Sequence, residues 1–149
     1  MWDHGSDVVI PVIAQNDQAD YEGELVVVIG KDAKDVSESE ALDYVAAYTA
    51  GNDISSRKWQ RDPAYAGGVP QWCYSKGFDT FAPMGPALIS SALIPNPAEL
   101  HMQTIIDGEV RQDTGLDDLI FSVPRLISHL SSGTTLQKGS VIMTGTPGG

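Results

Sequence analysis

The feature that most constrains the fold is an apolar run that begins at a pair of glutamates. Glu22 and Glu24 flank a glycine and lead into the β-branched stretch Val26–Ile29, and Gly30 ends the run. β-branched residues favour the extended backbone of strands, and a short continuous apolar run is typical of a buried strand. The pattern therefore predicts a buried strand over Glu22–Gly30 that carries both carboxylates at its start.

Residues two apart on a strand point to the same face, so the two carboxylates would lie side by side and repel each other. A divalent cation, a lysine or arginine, or bulk water at a strand edge could offset that repulsion. Asp53, which follows Gly51 and Asn52, is a third candidate ligand, because a hard cation such as Mg²⁺ takes carboxylates plus waters. From spacing alone, a solvated edge for Glu22 and Glu24 and an Asx turn or helix cap for Asp53 remain open alternatives.

Other segments give local predictions of mixed type. Ser37 with Glu40 fits a capping box and predicts a helix over about Ser37–Ala47, and Ser122 begins a second helix that Gly133 would end. A short helical turn is expected near Ser55–Gln60. The remaining predictions are a strand over Val8–Ile13, a loop over Arg61–Gly77, strands at Ala87–Ile89 and Val141–Met143, and a hairpin of His101–Ile106 with Glu109–Gln112 about Asp107-Gly108. Together they indicate an α+β fold that is rich in β-structure, with two or three short helices.

Composition narrows the class of protein. A chain of 149 residues is one domain or a piece of a larger one, and its 42% hydrophobic content suffices for a core. The net charge of −11 disfavours binding to nucleic acid or to an anionic membrane. A single cysteine, Cys73, excludes an internal disulfide and a cysteine-based zinc cluster, and no apolar run approaches the length of a membrane span. The expected location is the cytosol by default, with the mitochondrial matrix as the alternative.

Seven short segments form an ordered pattern along the chain. They are Asp20–Leu25, Val28–Lys31, Tyr48–Arg57, Ser75–Asp79, Ala82–Pro86, Asp107–Glu109 with Gln112, and Thr144–Pro147. In this order they resemble the fumarylacetoacetate hydrolase superfamily over nearly the whole chain. The pattern is specific for the superfamily and says little about any one substrate.

The resemblance implies a mixed β-roll or sandwich of the fumarylacetoacetase C-terminal-domain type, as one catalytic domain over residues 1–149. In that family, the two glutamates of an E-x-E strand and the aspartate of an N-D motif hold Mg²⁺ or Mn²⁺. Those positions correspond here to Glu22, Glu24 and Asp53. Members of the family are commonly dimeric, so a homodimer is also implied.

The same resemblance implies which residues meet the substrate, a small β-diketo acid or 2-oxo acid. Arg57 and Gln60 would line the pocket, with Arg57 holding a carboxylate, and Thr146 would contact a carboxylate or carbonyl. Lys76 would bind the substrate and act in catalysis by adding positive charge where an enolate oxygen develops. The implied reaction is cleavage of a carbon–carbon bond through a metal-stabilised enolate, by acylpyruvate- or fumarylacetoacetate-type hydrolysis or by oxaloacetate-type decarboxylation.

The chain departs from the family pattern at both ends. Hydrolases of the family carry a His and Glu pair on a lid upstream of the E-x-E strand, whereas the single upstream histidine here is His4, which does not match that position. The strands that normally follow the T-G-T-P segment are also missing, so the sequence is expected to be a fragment, truncated at both ends. Two alternatives stay open: an inactive binding or oligomerisation module, and a related isomerase or dehydratase.

Overall fold

The computed structural model describes residues 2–148, and the β-branched run of the sequence forms one of its longer strands. The strands are β1 (Trp2–Asp3), β2 (Ala19–Asp20), β3 (Gly23–Ile29), β4 (Val45–Asn52), β5 (Ser55–Ser56), β6 (Pro83–Ser90), β7 (His101–Ile106), β8 (Glu109–Gly115) and β9 (Val141–Met143). The α-helices are α1 (Arg57–Arg61), α2 (Pro63–Ala66), α3 (Trp72–Lys76) and α4 (Val123–Ser131). Single 3-10 turns lie at Val12–Ala14, Ala41–Tyr44, Ser91–Leu93, Pro97–Glu99 and Leu116–Asp118. This composition confirms the predicted β-rich α+β class.

The chain divides into two compact units, each formed from two stretches of sequence. The first unit contains the residues up to Glu22 together with Gly51–Pro86, and the second contains Gly23–Ala50 together with the residues from Ala87 onward. Each unit has its own cluster of buried apolar side chains.

The second unit is built around the predicted strand β3. β3 lies between β4 and β9, with β6 on the far side of β4. β9 pairs with β3 in antiparallel fashion, and Val27 stands opposite Ile142. β3 lies inside the sheet, and Val26 and Val27 are fully buried while Val28 is partly buried, in agreement with the continuous apolar run. The core of this unit is Leu25, Val27, Ile29, Ala33, Val36, Ala41, Val45, Tyr48, Leu116, Val123, Ile127 and Ile142.

Two further predictions in the second unit are confirmed. Strands β7 and β8 form an antiparallel hairpin, and Asp107 and Gly108 at its turn both have positive φ, as a type I′ turn requires. Helix α4 begins after Ser122, whose hydroxyl accepts a hydrogen bond from the Arg125 amide at 3.3 Å. Local turn and capping chemistry is enough to place these elements.

The first unit consists of short elements held by specific polar contacts. β2 pairs with β5 in antiparallel fashion, with Asp20 opposite Ser55, and the first residues of β6 pair in parallel with β1. Helices α1, α2 and α3 follow β5 in sequence. The core of this unit is small and consists of Ala14, Ile54 and Phe81 with Val8, Ile10 and Phe78 packed on it.

Three local predictions are wrong. Ser37–Ala47 forms no α-helix: the Ser37 hydroxyl donates to Glu40 at 2.5 Å, but the chain makes only the turn Ala41–Tyr44 and then enters strand β4. Pairing within the sheet outweighs the modest helix preference of this segment. Val8–Ile13 is not a strand, although Val8 and Ile10 pack on the core of the first unit. The predicted loop Arg61–Gly77 contains α2 and α3.

Among the described residues, no helix has both the length and the apolar character needed to cross a bilayer.

Candidate active site

Two of the three predicted metal ligands are brought together in the first unit by backbone hydrogen bonds. The amide of Asp53 donates to the carbonyl of Glu22 at 2.9 Å, and the amide of Glu22 donates to the side-chain oxygen of Asn52 at 3.0 Å. Asn52 and Asp53 therefore fix the segment that carries Glu22. This tie explains how two carboxylates far apart in sequence come to share one cation.

That cation is Lys76, the last residue of helix α3. Its Nζ donates to Glu22 Oε2 at 2.7 Å and also to Asp53 Oδ2. The three side chains are between 12% and 18% exposed, so water screens them poorly. Burial alone lowers the pKa of Lys76. The hydrogen bonds and charges of Asp53 and Glu22 raise it by more than burial lowers it, so the pKa lies above the ordinary value. Lys76 is therefore an ammonium ion at neutral pH.

Arg57, at the start of helix α1, forms a second cationic contact with Glu22. Its Nε and Nη2 each lie 2.8 Å from Asp20 Oδ2, and its Nη1 donates to Glu22 Oε1 at 2.7 Å and to Gln60 Oε1 at 2.8 Å. Burial lowers the pKa of Arg57, and the hydrogen bonds to Glu22 and Asp20 outweigh that effect and raise it. Four of the five N–H donors of the guanidinium are thus bound to the protein's own side chains. The structure places Arg57 beside Glu22, and its predicted role of holding a substrate carboxylate remains a prediction.

Gln60 lies on the same helix and is completely buried. Its Oε1 accepts from Arg57, whereas no group in the described part of the chain accepts a hydrogen bond from its Nε2. A buried donor without an acceptor costs free energy, so a water or a ligand that accepts from it would stabilise the site. The predicted role of Gln60 toward a substrate remains a prediction, and the unpaired Nε2 is consistent with it.

Glu24, the third predicted ligand, is the second residue of β3. Its carboxylate is buried, and its Oε2 accepts a hydrogen bond from the Gly145 amide at 2.9 Å. Glu22, Glu24 and Asp53 make up a group of three acidic side chains that could hold a metal ion. Their donor atoms are all carboxylate oxygens, the donors that Mg²⁺ and Mn²⁺ favour, so the residues fit the predicted cofactor.

Thr146 is exposed, but its hydroxyl both donates and accepts a hydrogen bond within the second unit. It donates to the carbonyl of Gly23 at 2.8 Å and accepts from Gln112 Nε2 at 2.7 Å. Because its proton is committed to Gly23, the hydroxyl can accept but not donate without breaking this bond. The predicted contact with a substrate carboxylate would need such a donor.

No site role is predicted from the sequence for Gln112 or Asp20, although both lie in the segments that carry the family resemblance. Gln112 is the buried residue of the largely exposed strand β8, and Asp20 binds Arg57. Neither role leaves a signal in local periodicity, since both depend on residues distant in sequence. A buried glutamine on an exposed strand can be found only once the strand is placed.

A cavity of about 670 Å³ in the first unit is bounded by Lys76 on one side. Val9 and the segment Gly77–Ala82 form the rest of its lining. Phe78 and Phe81, which belong to that segment, pack edge to face with their ring centroids 5.3 Å apart. The row of rings continues through Tyr74 to Trp59 at similar separations. Lys76 thus lines a cavity large enough for a small organic acid.

Comparison with known proteins gives the family of the chain. The family model described as fumarylacetoacetate (FAA) hydrolase C-terminal matches residues 1–149. The fumarylacetoacetate hydrolase domain-containing protein 2 homolog of Dictyostelium discoideum is 43% identical over 150 residues, which cover 95% of this chain and 47% of the relative. The chain spans about half the length of the curated relatives it matches.

Two solved structures show the same fold. A fumarylpyruvate hydrolase from Pseudomonas aeruginosa, in complex with Mn²⁺ and pyruvate, has a TM-score of 0.84 and 34% identity, covering 99% of this chain and 62% of its own. A 5-carboxymethyl-2-hydroxymuconate delta-isomerase from Mycobacterium smegmatis has a TM-score of 0.80 and 40% identity, covering 91% of this chain and 51% of its own. The predicted fold is therefore confirmed, and the Mn²⁺ of the first neighbour supports the predicted divalent metal. The chain belongs to the fumarylacetoacetate hydrolase family.

Proposed function

We propose that this protein is a Mg²⁺- or Mn²⁺-dependent enzyme that cleaves a carbon–carbon bond in a small β-diketo acid or 2-oxo acid. The observation that carries the proposal is the contact of Lys76 with both Glu22 and Asp53, which sets a protonated amine beside two of the three candidate metal ligands. A cation held against carboxylates and next to a cavity suits a substrate whose carbonyl oxygen gains negative charge during the reaction.

The metal would be held by Glu22, Glu24 and Asp53. When bound, the ion supplies a Lewis acid for the oxygens of a 2-oxo acid. The related P. aeruginosa enzyme, described with Mn²⁺ and pyruvate, supports both the metal and the class of ligand.

Lys76 supplies the second positive charge of the site. Because its Nζ lies between Glu22 and Asp53, the ammonium would act on the enolate oxygen by charge and hydrogen bonding. Gln60 offers Nε2 as a further donor, and Arg57 keeps Glu22 oriented. Each of these roles belongs to a side chain that the first unit already holds in place.

In both hydrolysis and decarboxylation, Lys76 would stabilise the negative charge of an enolate oxygen. In hydrolysis, water adds to one carbonyl and the adjacent carbon–carbon bond breaks, giving a carboxylic acid and an enolate that takes up a proton. In decarboxylation, CO₂ leaves and the same kind of enolate is protonated. We therefore group both reactions as one proposal, with an acylpyruvate and oxaloacetate as the substrates to test.

The test is calorimetric titration of metal-stripped protein with Mn²⁺ and Mg²⁺, followed by turnover assays on both substrates. We expect one metal site per chain and metal-dependent turnover, both lost in Asp53→Asn. The matched control is Asp62→Asn in the same unit, since Asp62 caps helix α2 and asparagine caps equally well. A folded Asp53→Asn variant that turns over at the parent rate would refute the proposal.

A second candidate reaction is isomerisation of an unsaturated oxo acid. It is favoured by the 40% identity to the M. smegmatis delta-isomerase. Movement of a double bond also passes through an enolate, so Lys76 would act in the same way. Conversion of a muconate-type substrate without bond cleavage would select this reaction, whereas a folded, metal-binding protein inert on all three substrate classes would indicate a binding module.

We also propose that the protein is a homodimer, as is common in its family. Leu88 and Ile89 on strand β6 are 65% and 41% exposed and offer apolar surface for such a contact. Light scattering of the purified chain tests this, and a monomer at all concentrations would contradict it.

A further inference from the structure

Gln112 is a buried amide whose hydrogen-bonding capacity is fully used. Its Oε1 accepts from the Gly23 amide at 3.3 Å and from the Thr104 hydroxyl at 2.7 Å. Its Nε2 donates to the Thr146 hydroxyl at 2.7 Å and to the Pro147 carbonyl at 3.2 Å. Two donors and two acceptor positions are all that a glutamine amide has, so the group is saturated.

The orientation of this amide is fixed by its partners. The Gly23 amide can only donate and the Pro147 carbonyl can only accept. In a flipped Gln112 the Nε2 donor would face the Gly23 N–H donor, and the Oε1 acceptor would face the Pro147 carbonyl acceptor. The Thr146 hydroxyl, which accepts from Gln112, must in turn direct its own proton to the Gly23 carbonyl, 2.8 Å away. Donation therefore has one fixed pattern: Gln112 Nε2 donates to Pro147 and to Thr146, and Thr146 donates to the Gly23 carbonyl.

The result is that both backbone groups of Gly23 are held. Its N–H is bound by Gln112 and its C=O by Thr146. Gly23 is the residue between the candidate ligands Glu22 and Glu24, so holding it fixes the direction in which the two neighbouring side chains leave the backbone. The adjacent Gly145 amide then binds the carboxylate of Glu24 directly.

We propose that Gln112 is a positioning residue for the metal ligands. With Thr146 it forms a clamp on Gly23 that sets the spacing of the Glu22 and Glu24 carboxylates. The proposal rests on the metal site of the proposed function and assigns Gln112 no contact with substrate. It also gives the Thr146 hydroxyl a role in the metal centre that needs no donation to a substrate.

The test is the affinity of the metal-stripped full chain for Mn²⁺, with the EPR spectrum of the bound ion as a second readout. Gln112→Met keeps the length of the side chain but removes all four hydrogen bonds. We expect the Mn²⁺ affinity to fall about 10- to 100-fold, as when partners that orient metal ligands are lost, and the Mn²⁺ spectrum to change.

Ser131→Ala is the control for a purely structural effect. Ser131 is also buried in the second unit, accepts from the Val36 amide at 3.1 Å and donates to the Ser128 carbonyl. This variant should lower the unfolding temperature but leave Mn²⁺ affinity and spectrum unchanged. If Gln112→Met does not fold, Thr146→Val, at an exposed position, carries the same test.

The double variant tests whether the two residues act as one clamp. Because both bind the same glycine, Gln112→Met with Thr146→Val should lose little more affinity than the stronger single variant. Additive losses, or a folded Gln112→Met with the parent's affinity, would overturn the inference while the metal site itself stands. A parent chain that binds no Mn²⁺ would overturn the proposed function, and the inference with it.

Discussion

Arg57 binds Asp20 through two nitrogens, and both bonds end on the same carboxylate oxygen, 2.8 Å from Nε and from Nη2. The remaining nitrogen of the guanidinium then points to Glu22. Asp20 thereby fixes the plane of Arg57 and partly offsets its charge. The charge that Glu22 experiences from Arg57 depends on this third residue.

Replacing Asp20 should therefore weaken metal binding without touching a metal ligand. In Asp20→Asn the guanidinium keeps its charge but loses one of its two anionic partners, so it is less well oriented and repels a cation at Glu22 more strongly. We expect the Mn²⁺ affinity to fall about 10-fold in a calorimetric titration. Glu38→Gln, which breaks the exposed pair with Arg125 at 3.0 Å, is the matched control and should change nothing. Equal effects from both variants would show that only overall charge matters.

Removing Lys76 should move metal affinity and turnover in opposite directions. The ammonium competes with a metal ion for Glu22 and Asp53, so Lys76→Met should bind Mn²⁺ more tightly than the parent. Turnover should fall about 10²- to 10³-fold, the usual cost of losing one group that stabilises developing oxyanion charge. The comparison variant is Lys58→Met on helix α1, whose ammonium lies over the Tyr65 ring. Weaker Mn²⁺ binding in Lys76→Met would mean that Lys76 supports the ligands instead of competing for them.

Adding one methyl group between the two glutamates should destabilise the second unit. A Cβ at Gly23 would lie against Thr104 Oγ1 and 2.9 Å from Gln112 Oε1, so either the hairpin or β3 would have to shift. We expect Gly23→Ala to lower the free energy of unfolding by about 1–3 kcal/mol in urea denaturation. Gly68→Ala, which has open space around the added Cβ, should stay within about 0.5 kcal/mol of the parent. A Gly23→Ala variant as stable as the parent would show that this contact yields easily.

The elements that depend on residues close together in the sequence were predicted correctly. The strand β3 follows from its β-branched run, the β7–β8 hairpin from Asp107 and Gly108, and helix α4 from Ser122. The predicted Ser37–Ala47 helix does not form because the Ser37 hydroxyl bonds the Glu40 carboxylate instead of capping a helix, and the chain then enters strand β4 of the sheet. A single sequence gives no measure of that competition.

The candidate site divides in the same way. Glu22, Glu24, Asp53 and Lys76 were proposed from the family resemblance, and the structure brings Lys76 into contact with Glu22 and Asp53. Asp20, which binds Arg57, and Gln112, which binds Gly23, were not predicted because these contacts join segments that are distant in sequence. Polar residues that orient other residues carry no periodicity of their own.

The double contact of Lys76 also bears on how the protein would acquire the proposed metal. With Lys76 and Arg57 set against Asp20, Glu22 and Asp53, most of the repulsion among these carboxylates is relieved by the chain itself. Small zinc domains differ, since their folding is the act of binding metal. On the proposed function, the polypeptide can mature first and take up its ion afterwards, so a shortage of metal in the surroundings would leave the chain folded and ready to bind when the ion returns.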